Sequence, residues 1–437
     1  MKKRLRRNKV SDLKIGVIGL GYVGLPLAVE LGKKYSTIGY DIDEKRIIEL
    51  KDGFDITSEL SNNQIKRSKN LYFTNDSEKL IPCNIYIITV PTPVNKHNQP
   101  DMTALKSATI LVAGAINRGD IVIYESTVYP GATEEFCVPI IEKYSKLTYN
   151  KEFSCGYSPE RINPGDKQHT LTRIKKITSG TNKKTLNIID DIYNSIIPAG
   201  THRAPSIAVA EAAKVIENIQ RDVNIALINE LAILFDKLNL DTQEILQAAE
   251  TKWNFQSFKP GLVGGHCIGV DPYYLTYKAK TIGYHPNIIL SGRKINEGMG
   301  KFIADKTINK MKKSGINPKQ ARIGIFGITF KENCSDMRNT KVPDIINNLL
   351  DYGCKIDVTD PYANKQDAKK YYDIELINEN KMSLYDTLIV TTAHNSYKKM
   401  GIKKWKNFLN KNGVFIDVKG IKTKKSFLNT NIRYWKL

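Results

Sequence analysis

Apolar residues in this chain fall into two kinds of run. Short, nearly continuous apolar stretches recur at residues 13–18, 37–40, 85–90, 121–125 and 153–157, separated by stretches with helical spacing. Runs of this length, bounded by glycine, proline or polar clusters, read as strands buried on both faces. Their alternation with helices predicts a doubly wound parallel sheet. The first two enclose a glycine turn and a helix from Pro26, a βαβ unit ending at Asp41. From about residue 205 to 237 the pattern changes. Val209, Ala213, Ile216, Ile225, Ile228, Ala232 and Phe235 keep helical spacing over about 45–50 Å, more than one domain's diameter. Such a helix is expected to connect two α/β halves and to supply surface for a dimer. Strand-like runs at 322–327, 355–359, 387–391 and 414–417 then echo the first half.

A chain of 437 residues can bury two or three cores. No window offers the roughly 20 uninterrupted apolar residues of a membrane span, so a soluble protein is expected. The basic segment 1–9 followed by mostly apolar residues at 15–31 imitates a secretory signal. Gly16, Gly19, Gly21, Gly24 and Pro26 interrupt it, however, and it lacks a small-residue cleavage site. Cysteines at 83, 137, 155, 267, 334 and 354 form no Cys-x-x-Cys pair, which argues against zinc and against a disulfide framework. No metal is expected, and a reducing cytoplasmic setting is. Lysine and arginine number 66 against 45 acidic residues, a net charge of +21. The lysines are spread along the chain, with clusters at 2–7 and 403–406, and no zinc-finger, RRM or KH signature accompanies them. The excess suits anionic ligands such as diphosphates, and neither a nucleic-acid nor a membrane partner is expected.

Gly19-x-Gly21-x-x-Gly24 follows a strand, opens a helix, and lies 20 residues (from Gly21) before Asp41 at the next strand end. This context makes it a dinucleotide fingerprint. The glycines admit a pyrophosphate to backbone N–H groups, with Tyr22 and Val23 in the same turn, and Asp41 accepts hydrogen bonds from the adenosine ribose. A carboxylate there repels a 2′-phosphate, so NAD is expected; Arg46 would either receive such a phosphate or cover the adenine. Thr92 in Val-Pro-Thr-Pro (90–93) and Thr127 in Glu-Ser-Thr (125–127) follow buried strands at the edge where ligands bind. They could meet the nicotinamide half or be plain turn residues. The second α/β half has no glycine-rich turn. The fold class expected is α/β, two doubly wound Rossmann-like domains joined by a long central helix: 1–202 for NAD, 203–305 helical with the cysteine loop, and 306–437 for the second ligand.

Lys214, Asn218 and Arg221 share one stripe of the long helix. A lysine and an amide converging on one oxygen would stabilise an oxyanion; a solvated polar stripe is the plain alternative. In Gly-Gly-His-Cys-Ile-Gly-Val-Asp (264–271), the glycines would let Cys267 approach a substrate, and Asp271 could act on a proton or water. Beside a nicotinamide, such a thiol can hold an aldehyde and release an acid. Alone it would read as a structural cysteine.

Together these residues resemble the UDP-glucose/GDP-mannose dehydrogenase family, whose members make sugar-nucleotide uronic acids by two NAD-dependent oxidations at C6. The landmarks are 19–26, 90–93, 125–133, 158–166, the helix at 211–218, the cysteine loop and 330–340, so nearly the whole chain is covered. The resemblance implies Cys267 as nucleophile, Lys214 and Asn218 as oxyanion supports, and Asp271, Glu160 and Thr127 as the network for water and protons. It also implies that Arg161, Ile162, Arg221 and Lys331 meet the UDP-sugar, that Phe258 and Gly261 lie in the substrate loop, that Arg338 meets NAD, and that the central helix forms a homodimer core. UDP-glucose members carry a second glutamate four residues after the one at Glu160, where this chain has Pro164. UDP-N-acetylmannosamine members carry His-Pro-Arg before the substrate loop, where this chain has residues 251–254, Thr-Lys-Trp-Asn. The expectation is a UDP-N-acetylglucosamine or UDP-N-acetylgalactosamine 6-dehydrogenase of O-antigen or capsule synthesis. The alternatives are a UDP-glucose or UDP-N-acetylmannosamine enzyme, or a two-electron dehydrogenase of the hydroxyacid or 6-phosphogluconate type.

Overall fold

A computed structural model describes residues 13–57, 59–162, 170–265, 267–428 and 430–437. The basic cluster at 2–7, residues 163–166 with the Pro164 cue, and His266 lie outside them. The chain divides into two compact units, Met1–Glu217 with Tyr273–Tyr284, and Asn218–Pro272 with His285–Leu437.

The first unit is built on β1 (Lys14–Ile18), β2 (Ser36–Tyr40), β3 (Leu71–Thr74), β4 (Ile85–Ile88), β5 (Ile121–Tyr124) and β6 (Ser154–Tyr157). All pair in parallel, in the order β3-β2-β1-β4-β5-β6. The strands read as continuous apolar runs because helices cover both faces; Ile15, Val17, Ile87 and Ile123 are wholly buried on one side, Tyr86, Ile88, Val122 and Tyr124 on the other. The order reverses between β1 and β4, which opens a crevice at their carboxyl ends. A two-stranded parallel pair, β7 (Lys176–Thr178) and β8 (Thr201–Arg203), stands apart. In the second unit, β9 (Arg322–Phe326), β10 (Lys355–Thr359), β11 (Tyr385–Val390), β12 (Leu409–Asp417) and β13 (Arg433–Lys436) form a parallel sheet in the order β10-β9-β11-β12-β13.

The long helix spans Ile207–Lys237, 31 residues or about 46 Å. Its buried side mixes apolar residues such as Ala210, Val215, Ile219 and Ala226 with polar and charged ones. Glu211, Lys214, Asn218, Asp222 and Asn229 are buried, and at ~100° per residue they fall within about 80° of one another. Val209, Ile216, Leu227 and Leu234, each about half exposed (47–54%), lie within ~20° of a single line on the opposite side. Of the seven regularly spaced apolar positions, only Ile228 and Ala232 are buried; Ala213, Ile225 and Phe235 are half-buried. Among the described residues, no helix is long and apolar enough to cross a membrane.

Candidate active site

The glycine turn joins β1 to helix Gly24–Leu31, which starts two residues earlier than the proline at 26 suggests. Gly19 has φ +94°, in the left-handed region, and a Cβ on Gly24 would stand 1.8 Å from the Gly19 carbonyl oxygen. Those two glycines therefore close the turn on itself. Gly21 differs, because a Cβ there would meet no protein atom within 4 Å. Its open side is a cradle for a ligand to approach the backbone, so these residues fit a dinucleotide. Asp41 closes the far end, with Oδ2 accepting from the Leu20 N–H at 2.7 Å and Oδ1 from the Asp43 N–H at 3.0 Å. Tyr22 and Val23 are half-buried in the turn. Arg46 is buried: Nε and Nη2 both donate to the Leu20 carbonyl at 3.0 Å, and Nη2 also donates to Asp55 Oδ1 at 2.7 Å. The guanidinium braces the turn from behind instead of reaching out for a phosphate.

At the carboxyl edge, the loops after β4 and β5 are tied together by the Thr92 hydroxyl, which donates to the Thr127 carbonyl at 2.7 Å. Tyr274 donates its hydroxyl to the Thr92 carbonyl at 2.9 Å. Beneath them lies a buried charge cluster. Lys176 Nζ on β7 is 2.7 Å from Glu125 Oε2 and 3.0 Å from Glu160 Oε2, and Tyr193 donates its hydroxyl to Glu125 Oε1. Glu160 Oε1 accepts from the Arg161 and Ile162 N–H groups at 2.6 and 2.7 Å. Arg161 itself turns to Glu217, 2.7 Å away, and to the Lys175 carbonyl at 2.8 Å. Lys176 sits in a three-residue strand with no periodicity around it, so nothing in the sequence marks it; Glu125, ending an apolar run, carried a signal.

Lys214 and Asn218 are both 7% exposed, so the stripe is not solvated, while Arg221 is exposed. Asn218 Nδ2 donates to Asp271 Oδ2 at 2.6 Å, and Asp271 is 1% exposed. Asp271 opens helix Asp271–Thr281, where a carboxylate suits the helix dipole, and its N–H donates to the Cys267 carbonyl at 2.8 Å. One turn of chain thus holds a buried acid and a half-buried thiol, and the long helix supplies the amide that bonds the acid. The loop's glycines serve packing: a Cβ on Gly264 would come within 2.8 Å of Phe330, and Gly265 has φ +85° with Phe330 2.9 Å from its Cβ position. The Gly265 N–H donates to the Arg338 carbonyl at 3.0 Å, and Asn339 Nδ2 to the Gly265 carbonyl at 3.2 Å. Residues 330–340 are therefore the seat of the cysteine loop. Within that seat, Arg338 forks onto Asp336 at 3.0 and 2.7 Å, and the half-buried Lys331 accepts from Thr329 through its carbonyl.

The loop before the cysteine is pinned from the long helix. Asn229 donates to the Gly261 carbonyl at 3.0 Å and accepts the Gly261 N–H at 2.8 Å, and it also donates to Asn296 Oδ1 at 2.8 Å. Asn296 in turn reaches Asp222, which pairs with Arg293 at 2.7 Å. Phe258 is half-buried at the start of this loop. In the second sheet Asp360 repeats the geometry of Asp41, accepting the Ile328 N–H at 2.8 Å. Its carboxylate is already committed to His394, Thr329, Tyr362 and Ala363, so it is not set up for a ribose.

Three models of the UDP-glucose/GDP-mannose dehydrogenase family match the chain: the NAD binding domain at residues 13–197, the central domain at 208–298 and the UDP binding domain at 324–424. A UDP-N-acetyl-D-glucosamine 6-dehydrogenase from Salmonella typhi is 53% identical over 410 residues, 94% of this chain and 96% of that protein. Protein CapL from Staphylococcus aureus is 52% identical over 97% of this chain and 99% of its own. The solved structure of a UDP-D-ManNAc dehydrogenase from Pyrococcus horikoshii superposes with a TM-score of 0.87 at 28% identity, covering 97% of this chain and 99% of that one.

Proposed function

The chain belongs to the UDP-glucose/GDP-mannose dehydrogenase family and is an NAD-dependent UDP-sugar 6-dehydrogenase, and from this we propose that its substrate is a UDP-N-acetylhexosamine, oxidised at C6 to the uronic acid. N-acetylglucosamine is the first choice because the Salmonella relative named for that sugar is similar over nearly the full length; N-acetylgalactosamine is the second. The product would supply a surface polysaccharide, O-antigen or capsule.

The glycine turn at 19–24 and Asp41 would hold NAD, which would supply the hydride acceptor for each of the two oxidations. The residues of the chain do the rest. Asp271, oriented by Asn218, takes the C6 hydroxyl proton directly or through a water. The Cys267 thiolate adds to the resulting aldehyde carbon, and Lys214 and Asn218, one helical turn apart, hold the oxygen of the thiohemiacetal. Its oxidation leaves a thioester. Water then adds to the carbonyl carbon, the C–S bond breaks and the thiolate leaves; Glu160, Thr127 and Asp271 position the water, and a carboxylate, Glu160 or Asp271, takes its proton. Arg161, Ile162, Arg221, Phe258, Gly261 and Lys331 meet the sugar nucleotide, and Arg338 meets NAD. The observation that carries this chemistry is the Asn218–Asp271 bond of 2.6 Å, on the same turn of chain as Cys267.

The matched ranges of the three family models support a division at 1–202, 203–305 and 306–437. The exposed apolar line Val209, Ile216, Leu227 and Leu234 supports a homodimer built on the long helix. Rates of NADH formation with UDP-N-acetylglucosamine, UDP-N-acetylgalactosamine, UDP-N-acetylmannosamine and UDP-glucose test the substrate. The two amino sugars with an equatorial C2 substituent should lead in kcat/KM by at least tenfold; a lead by UDP-glucose or UDP-N-acetylmannosamine would overturn the assignment.

A further inference from the structure

Three loops leave the carboxyl edge of the second sheet side by side: 327–333 after β9, 360–363 after β10 and 391–395 after β11. One buried side chain, His394, joins all three. Its Nδ1 accepts the Asn333 N–H at 2.9 Å, and Nε2 faces Asp360 Oδ2 at 3.1 Å, so the imidazole reaches from its own loop into both neighbours. Tyr362 and Tyr397 enclose the ring, with centroids 4.8 and 5.3 Å away.

The two bonds of the imidazole are not equivalent. Asp360 also accepts the N–H groups of Ile328, Thr329, Tyr362 and Ala363, so the junction of the first two loops survives the loss of His394. The Asn333 N–H depends on it. Asn333 has φ +54°, in the left-handed region, and a residue other than glycine stays there only where its surroundings fix it. Its Oδ1 accepts the Asn395 N–H at 2.9 Å, and at the other end of the turn Thr392 donates its hydroxyl to the Thr329 carbonyl at 2.8 Å. Between these ties stand Lys331 and Phe330, against which Gly264 and Gly265 of the cysteine loop pack.

We propose that His394 is a positioning residue for the sugar nucleotide: by fixing Asn333 at the end of the turn, it holds Lys331 where the ligand meets it and Phe330 where the cysteine loop rests. This rests on the reading of Lys331 given above. The turn and His394 both lie within residues 324–424, the range matched by the UDP binding domain.

The test compares two amide variants of the full-length protein by titration calorimetry with UDP-N-acetylglucosamine alone and with NAD alone, and by steady-state kinetics with both. An asparagine Oδ1 can stand in the place of Nδ1 and keep the Asn333 bond, whereas a glutamine Nε2 can stand in the place of the ring Nε2 and keep only the Asp360 bond. His394→Gln should weaken UDP-sugar binding and raise its KM by about tenfold, with kcat lowered by less than about threefold and NAD affinity within about twofold of wild type. His394→Asn should recover most of that loss. A role in folding alone would follow stability instead, impairing both variants and both ligands together. If His394→Gln does not fold, Asn333→Ala decides, because it removes the Oδ1 tie at an exposed turn position and should raise the same KM; an unchanged KM there overturns the proposal. So does a folded His394→Gln with wild-type UDP-sugar affinity, or a His394→Asn as impaired as His394→Gln. Lys331→Met separates the two levels. Weakened UDP-sugar binding in that variant with wild-type binding in His394→Gln leaves the reading of Lys331 standing and the positioning refuted, while unchanged binding in Lys331→Met refutes both.

Discussion

Gly21 and Gly24 sit three residues apart in one turn, and their geometry assigns them opposite consequences for the same added methyl. At Gly24 the new Cβ would stand 1.8 Å from the Gly19 carbonyl oxygen and 2.4 Å from Thr89 Oγ1. A carbon cannot approach backbone oxygen closer than about 3 Å, so β1 and the helix must part, at a cost of about 3 kcal/mol or more. At Gly21 the Cβ meets nothing within 4 Å, and φ is not in the left-handed region. Gly21→Ala should therefore change folding stability by no more than about 1 kcal/mol, with any change stabilising. Its methyl does, however, fill the side from which a pyrophosphate reaches the turn's N–H groups. Losing one charge-assisted hydrogen bond of about 1.5–3 kcal/mol weakens NAD binding by about 10–100-fold. Chemical denaturation measures the first quantity, and calorimetric titration with NAD and separately with UDP measures the second. Gly21→Ala should lose NAD affinity, keep UDP affinity and keep stability, whereas Gly24→Ala should lose stability. Unchanged NAD affinity in Gly21→Ala would refute the placing of the dinucleotide on the open side of the turn.

Other outcomes follow from buried groups. Glu211, fully buried and accepting from the Gly131 and Thr133 N–H groups and the Thr133 hydroxyl, is pushed by desolvation up to about 7 from 4.5. A carboxyl raised in the folded state adds stability that is fully present below about pH 4.5 and is lost as pH rises through about 7. Wild type should therefore lose up to about 3 kcal/mol relative to Glu211→Gln across that window; parallel stability curves from denaturant titrations would contradict it. Asn229→Ala strands the Gly261 N–H and carbonyl, and should cost about 2–4 kcal/mol and raise KM for the UDP-sugar more than it lowers kcat. A stability change below 1 kcal/mol would show that the loop is not pinned there. In the proposed homodimer, Leu227→Glu on the exposed apolar line should lower the mass in light scattering from that of a dimer to that of a monomer; a monomeric wild type, or a dimer unchanged by the substitution, would contradict an interface on the long helix.

The sheets were legible because strands buried on both faces have to be continuously apolar: β1 was expected at 13–18 and is Lys14–Ile18, and Ile121–Tyr124 falls one residue short of its expected end. The glycine turn and Asp41 were legible because the motif encodes backbone sterics. The long helix was legible as an element but not in its orientation. Periodicity cannot distinguish an apolar stripe facing a core from one facing out, and here Val209 and Ile216 are exposed while Glu211, Asp222 and Asn229 are buried. Arg46 shows a similar limit, since a charged residue near a fingerprint can face the ligand or brace the turn, and only coordinates place it on Leu20 and Asp55. Lys176 had no signature because its meaning comes from Glu125 and Glu160, 51 and 16 residues away in sequence.

We propose that one thiol, Cys267, converts a two-electron dehydrogenase fold into a four-electron one. Its most direct test is the ratio of NADH formed to UDP-N-acetylglucosamine consumed at completion, in wild type and in Cys267→Ser. Two NADH per sugar with uronic acid as the product in wild type, and no acid from Cys267→Ser, is the predicted result. One NADH per sugar in wild type, or full four-electron turnover by Cys267→Ser, would contradict it.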